Sequence, residues 1–171
     1  MRTITVVAYD PRWPEMFTAE SQLLQQVLPG GIAKAIHHIG STSVPGLAAK
    51  PVIDILLEVP NLAELDACNT QMQQAGYIAR GENGIAGRRY FVKGGEQRSH
   101  QVHAFVTGDE QITKHVAFRD YLLTNQQATE QYASVKYAAA QACNNDSQRY
   151  CELKAGFIEH HLQLAMLCRK W

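Results

Sequence analysis

Apolar positions along this chain follow two periods, short alternating runs interleaved with helical stretches up to about residue 110 and a 3.6-residue repeat alone beyond it. Residues 3–7 (TITVV) form a brief β-prone run, after which Tyr9-Asp10-Pro11 turns into a helix starting near Pro14. Met16, Phe17, Leu23, Leu24, Val27 and Leu28 approximate one face of that helix, and Pro29-Gly30-Gly31 ends it. Strands are predicted at about 34–39 and 52–59, joined by the loop GSTSVPGLAAK. Asn61 is placed to cap a following helix, with Glu64 at its third position and Gly76 closing it. Residues 77–80, the loop GENGIAG (81–87), a strand RRYFVKG (88–94) and another from about 100 to 107 come next, the last two reading as a hairpin across GGEQRS. Three helices are predicted at about 111–123, 127–143 and 146–168, broken at Thr124-Asn125 and Asn144-Asn145-Asp146.

This order predicts an α+β fold: a mixed β-sheet flanked by helices over about residues 1–110, then a helical tail over 111–171 that buries its apolar face on the sheet or on itself. No repeat, low-complexity tract or linker divides the chain, so residues 1–171 are read as one domain. At that length, folding buries roughly 70 % of the surface the unfolded chain exposes, and no metal or disulfide is needed to close the core.

Charge narrows the partners. Sixteen Lys and Arg balance sixteen Asp and Glu, so no overall field draws in a nucleic acid or an anionic membrane, and neither is expected as a partner. An anionic ligand must be met by a local cluster. Cys68, Cys143, Cys151 and Cys168 occur singly, without CxxC spacing, and are read as free thiols in helices. The first residues hold no long apolar stretch, and nowhere is there a run of about 18 apolar residues. A cytoplasmic location is expected; oligomeric state is not legible.

The segment IHHIGSTSVPGLAAKPVIDILLEV (36–59) carries the candidate chemistry, because it sets Asp54 in the middle of an apolar strand. A buried carboxylate is costly unless paired, hydrogen-bonded or bound to a metal, so Asp54 either faces a wet edge or has work to do. Gly40-Ser41-Thr42 at the end of the preceding strand can cradle a phosphate, although the same tripeptide also makes an ordinary turn. A carboxylate one strand away is where a divalent ion could bridge protein and polyphosphate. Lys50, Arg88, Arg89 and Lys93 bracket these loops as candidate phosphate donors, each also explicable as solvated surface charge. In the tail, Arg119-Asp120-Tyr121 and the i,i+4 pair Tyr132/Lys136 could face the same cleft, but a solvated helix stripe is the favoured reading there. Trp13 is taken as a core aromatic, and Trp171 is given no role.

Gly-Ser, twelve intervening residues, then Asp in an apolar strand resembles the signature of the nucleotidyltransferase (polymerase-beta-like) superfamily. The fuller string HIGSTSVPGLAAKPVIDI resembles the hallmark of its GrpB-like family, and YDPRWPEMF, GENGIAGRRYFVKG, RSHQVHAF and FRDYL are similar to further family segments in the same order. The resemblance implies that Gly40 and Ser41 contact phosphate and that Asp54 is the catalytic, first metal-binding carboxylate. A second carboxylate is then expected at position 56, where this chain has Leu56; Glu58 shares that face but lies about 7 Å further along the strand than position 56. The third belongs to a later strand, matched by SHQVHAF, which offers His100 and His103 on opposite faces. His103 is the favoured metal ligand of the two, and imidazole beside one aspartate shifts the expected ion from Mg to Mn. Of the adjacent His37 and His38, parity with Gly40 favours His38 for the site.

The function implied is binding of a nucleotide or other phosphorylated small molecule, extending to metal-dependent nucleotidyl transfer if the altered acidic motif still supports it. The alternatives are a non-catalytic accessory module, as in fusions of this domain to dephospho-CoA kinase, and a metal-dependent hydrolase built on Asp54 and the histidines.

Overall fold

The computed structural model describes residues 3–169, so Trp171 lies outside them. Five strands form one mixed sheet in the order β1-β2-β5-β4-β3, with β1 Ala35–Ile39, β2 Ile53–Val59, β3 Tyr77–Ala79, β4 Arg89–Lys93 and β5 His100–Val106. Only β2 and β5 run parallel; β1 against β2, β4 against β5 and β3 against β4 are antiparallel. The predicted hairpin is β4–β5.

Strand alternation splits the sheet into two faces. Ile53, Ile55, Leu57 and Val59 of β2, with Val102 and Ala104 of β5, form the main core with residues of helices α1 (Trp13–Val27), α2 (Leu62–Asp66) and α3 (Asn69–Gln74). Trp13 is 2 % exposed there and meets Tyr9 edge to face, as expected of a core aromatic. The opposite face carries Asp54, Leu56 and Glu58, and it meets the tail helices α4 (Glu110–Thr124), α5 (Gln126–Ala142) and α6 (Ser147–Cys168).

Two expected elements differ. Asn61 does accept the Glu64 backbone N–H, but the helix it starts ends at Asp66, and a separate helix resumes at Asn69. Residues 3–7 make no ladder: Val7 exchanges two backbone hydrogen bonds with Ala49, while Ile4 and Val6 bury against Ala139, Cys143 and Tyr150 of the tail. Their β-propensity is spent on packing rather than on pairing. The tail breaks where its turn chemistry predicts. Asn144 and Asn145 adopt φ of 52° and 62°, and Asp146 caps α6 by accepting from the Gln148 and Arg149 N–H groups.

Candidate functional site

At the end of β1 the chain turns through Gly40 at φ 71° and ψ −173°, a region open essentially to glycine alone, into a 3-10 turn over Ser41–Ser43. Glycine is needed twice over, because a Cβ here would stand 2.7 Å from Oδ2 of Asp54. Turn and carboxylate are thus in direct contact, brought together by the β1–β2 pairing that sets Ile39 opposite Asp54.

Asp54 is held by neutral donors. His103 lies with Nε2 at 3.3 Å from Oδ1 and Nδ1 at 3.4 Å from Nη1 of Arg88. A guanidinium only donates, so Nδ1 accepts and the Nε2–H points at the carboxylate. Arg88, 7 % exposed, is itself fixed by the carbonyls of Glu82 and Asn83, which explains why the GENGIAG loop wraps back on this residue. Gln101, directly opposite Asp54 on β5, satisfies its surroundings with its amide turned so that the N–H donates to Oδ1 at 3.0 Å and the oxygen accepts from Arg98 at 3.2 Å. Behind His103 stands His115 of α4, whose burial pushes its pKa down to about 4, with His103 adding to the shift. It is neutral at physiological pH.

Beyond Asp54 opens a cavity of about 510 Å³ between the sheet and the tail, lined among others by Gly40, Ser41, Thr42, Lys50, Gln101, His103, Tyr132, Lys136, Tyr150 and Lys154. The ring of Tyr150 carries two ammonium groups, Lys50 Nζ at 4.8 Å and Lys154 Nζ at 4.3 Å from its centroid. Lys136 lies over the Tyr132 ring at 4.4 Å; it is 2 % exposed, and its Nζ has no hydrogen-bond partner. Desolvation pushes its pKa down to about 6, helped by the charge of Lys154, whose own pKa burial lowers. Tyr132 is buried beside Ser41, and its burial pushes the phenol up to about 12. Helices α5 and α6 thereby deliver the cations that the Gly-Ser turn lacks.

Several residues expected here point elsewhere, and parity is the reason. Residues 89 and 93 face away from 88 and 90 on β4: Arg89 grips Asp66 with two hydrogen bonds of 2.7 and 3.0 Å, and Lys93 Nζ meets Glu20 at 2.7 Å. His100 sits on the α1 face, 3.7 Å from Glu20, across the sheet from Asp54. His38 stacks on Phe17 of α1 and bonds Thr42, outside the cavity lining, while His37 pairs with Glu58 at 2.7 Å. Of the expected set, Gly40, Ser41, Thr42, Lys50, Asp54 and His103 line the cavity, and Arg88 supports it from beneath. The solvated-stripe reading of Tyr132/Lys136 is corrected: both are buried against the cleft. Gln101, His115, Tyr150 and Lys154 were legible as residues but not as a site, because they converge from β5, α4 and α6 only in three dimensions.

The donor set does not fit a two-magnesium centre. Leu56, where the second carboxylate is expected, is fully buried with Ile39, Phe105 and Ile112, and Asp54 Oδ1 already accepts from two neutral side chains. Among the described residues no three His, Cys, Asp or Glu side chains are grouped to hold a metal ion.

Residues 3–164 match the protein family described as "GrpB protein". The chain belongs to the GrpB family. Among its relatives, the UPF0157 protein YqkA of Bacillus subtilis is 41 % identical over 92 % of the chain, which spans only 46 % of that protein's length. A dephospho-CoA kinase of Mycolicibacterium paratuberculosis is 28 % identical over 88 % of the chain and 43 % of its own length. The crystal structure of GrpB from Enterococcus faecalis superposes with a TM-score of 0.92 at 38 % identity, covering 98 % of this chain and all of that one. More distant is Cid1 in complex with its short product ApU, at 17 % identity and a TM-score of 0.53, covering 78 % of this chain and 42 % of that one. Another Cid1 poly(U) polymerase structure, MgGTP bound, matches at 16 % and 0.50, covering 77 % and 45 %. These last two establish the nucleotidyltransferase-like fold, as the GrpB resemblance implies. Among the described residues no helix is long and apolar enough to cross a membrane.

Proposed function

We propose that this GrpB-family chain binds a nucleotide or another phosphorylated small molecule in the cleft between β2 and the tail. One observation carries the reading: Lys136 is an amine donor buried to 2 % exposure in the cavity wall without a hydrogen-bond partner. A buried amine left unsatisfied is costly, and a phosphate oxygen is the acceptor that would satisfy it. Lys50, Lys154 and the Ser41 hydroxyl line the same cavity. Asp54 is read as the carboxylate that orients a hydroxyl or amine of the ligand, held in place by His103 and Gln101. The four free thiols suit a reducing compartment, and we place the protein in the cytoplasm.

A specific observation favours non-catalytic action. Leu56 is sealed in an apolar cluster where a transferase would need its second acid, and a dephospho-CoA kinase carries a segment similar to this chain. The accessory-module reading is therefore the second one: the cleft senses or holds a phosphorylated compound without turning it over. Nucleotidyl transfer would require a charge-stabilising element other than paired carboxylates.

Calorimetric titration with ATP, coenzyme A and inorganic triphosphate tests binding. Ser41→Val is expected to weaken the interaction by roughly 1–3 kcal/mol, through loss of the hydroxyl and added bulk beside Tyr132. Unchanged affinity in the variant would remove the turn from the site.

A further inference from the structure

Resting on the phosphate-binding reading, we infer that the cleft takes its polyphosphate as the metal-free anion, with Lys50, Lys136 and Lys154 supplying the positive charge that a divalent ion would otherwise bring. The charge inventory of the cavity wall is the starting point. Three lysines and one carboxylate, Asp54, line it, so amines outnumber carboxylates there inside a chain whose net charge is zero. Like charges gathered in a partly desolvated site repel one another, and desolvation together with that repulsion keeps Lys136 largely unprotonated at neutral pH; an incoming polyanion relieves the repulsion and draws the proton back.

The lysines are also held together by the fold. Lys50 precedes β2 and Lys154 belongs to α6, yet both lie against the one ring of Tyr150. Lys136, from α5, has Lys154 as the neighbouring charge acting most strongly on it. Three separate segments therefore converge their ammonium groups on one volume.

The same wall is poorly made for magnesium. A Mg²⁺ ion wants an octahedral shell of oxygens and in polyphosphate sites usually leans on more than one carboxylate. Here Leu56 replaces the second, Gln101 stands beside Asp54 as a neutral donor, and an ion would sit among like charges. Chelation would also draw negative charge from the phosphates that the lysines are arranged to meet. Magnesium should therefore compete with the protein for the ligand rather than bridge the two.

The experiment is calorimetric titration of the full chain with ATP at pH 7.5 and matched ionic strength, once with EDTA and once with magnesium in excess over ATP. Binding about tenfold or more tighter in EDTA is expected, with Lys154→Met removing most of the difference. Equal or tighter binding with magnesium overturns the inference and leaves the phosphate cleft standing. Absence of binding by ATP and by inorganic triphosphate in both buffers overturns the inference and the phosphate-binding reading together.

Discussion

Lys136→Met is expected to raise stability and weaken binding of phosphate compounds at the same time. Methionine keeps the length of the side chain and its packing over Tyr132, but removes an amine that is 2 % exposed and unpartnered. Replacing such a group by an apolar one of similar volume stabilises by about 1–4 kcal/mol. The sign of the pH dependence follows from the pKa, which falls from an ordinary lysine value to about 6 on folding. Between about 6 and the ordinary lysine value the unfolded chain binds more protons, so the wild type gains stability as pH rises through that window. The advantage of the variant should thus be largest at about pH 6 and fade toward pH 10. Denaturant unfolding of both proteins from pH 6 to 9 checks this, while the loss of a charge-assisted hydrogen bond should weaken ATP binding by roughly 1.5–3 kcal/mol. A variant less stable than the wild type at pH 7, with unchanged ATP affinity, would mark Lys136 as a structural residue.

Gly40→Ala should be the most damaging small substitution in the site. The backbone at φ 71° and ψ −173° is essentially closed to L side chains, and the new methyl would meet Asp54 Oδ2 at 2.7 Å and its Cβ at 3.1 Å. Strain and steric conflict together are expected to cost at least about 2 kcal/mol, lowering the melting temperature by roughly 4–8 °C. The carboxylate would also be driven away from His103 and Gln101, so ligand affinity should fall in whatever fraction remains folded. A variant melting within about 1 °C of the wild type would contradict the close approach of turn and carboxylate.

Much of the fold was legible because its signals are local. The tail breaks rest on Asn125 and Asp146, whose side chains accept from the first turns of α5 and α6, and Asn61 does the same for α2. One exception is the split at residues 67–68, where no Gly or Pro announces the end of α2. Half of the site was legible for a similar reason: Gly40, Ser41 and Asp54 lie on two strands joined by a single loop. The other half was not. Lys136 and Tyr132 occupy a helix whose pattern of apolar and polar positions reads as ordinary amphipathic packing, and nothing local says that the polar stripe is covered by the 44–47 loop, α4 and α6. Conversely, Arg89, Lys93 and His100 carry suitable chemistry near the right loops, but their strand parity, set by the register of β4 and β5, turns them to the α1 face.

The most direct test of the phosphate cleft is a ³¹P NMR titration of ATP with the wild-type chain and with Lys136→Met in parallel. The account predicts that the wild type shifts or broadens the phosphate resonances saturably, and that the folded variant does so far less at the same concentrations. Phosphate resonances unmoved by the wild-type protein, for ATP and for coenzyme A alike, would contradict it.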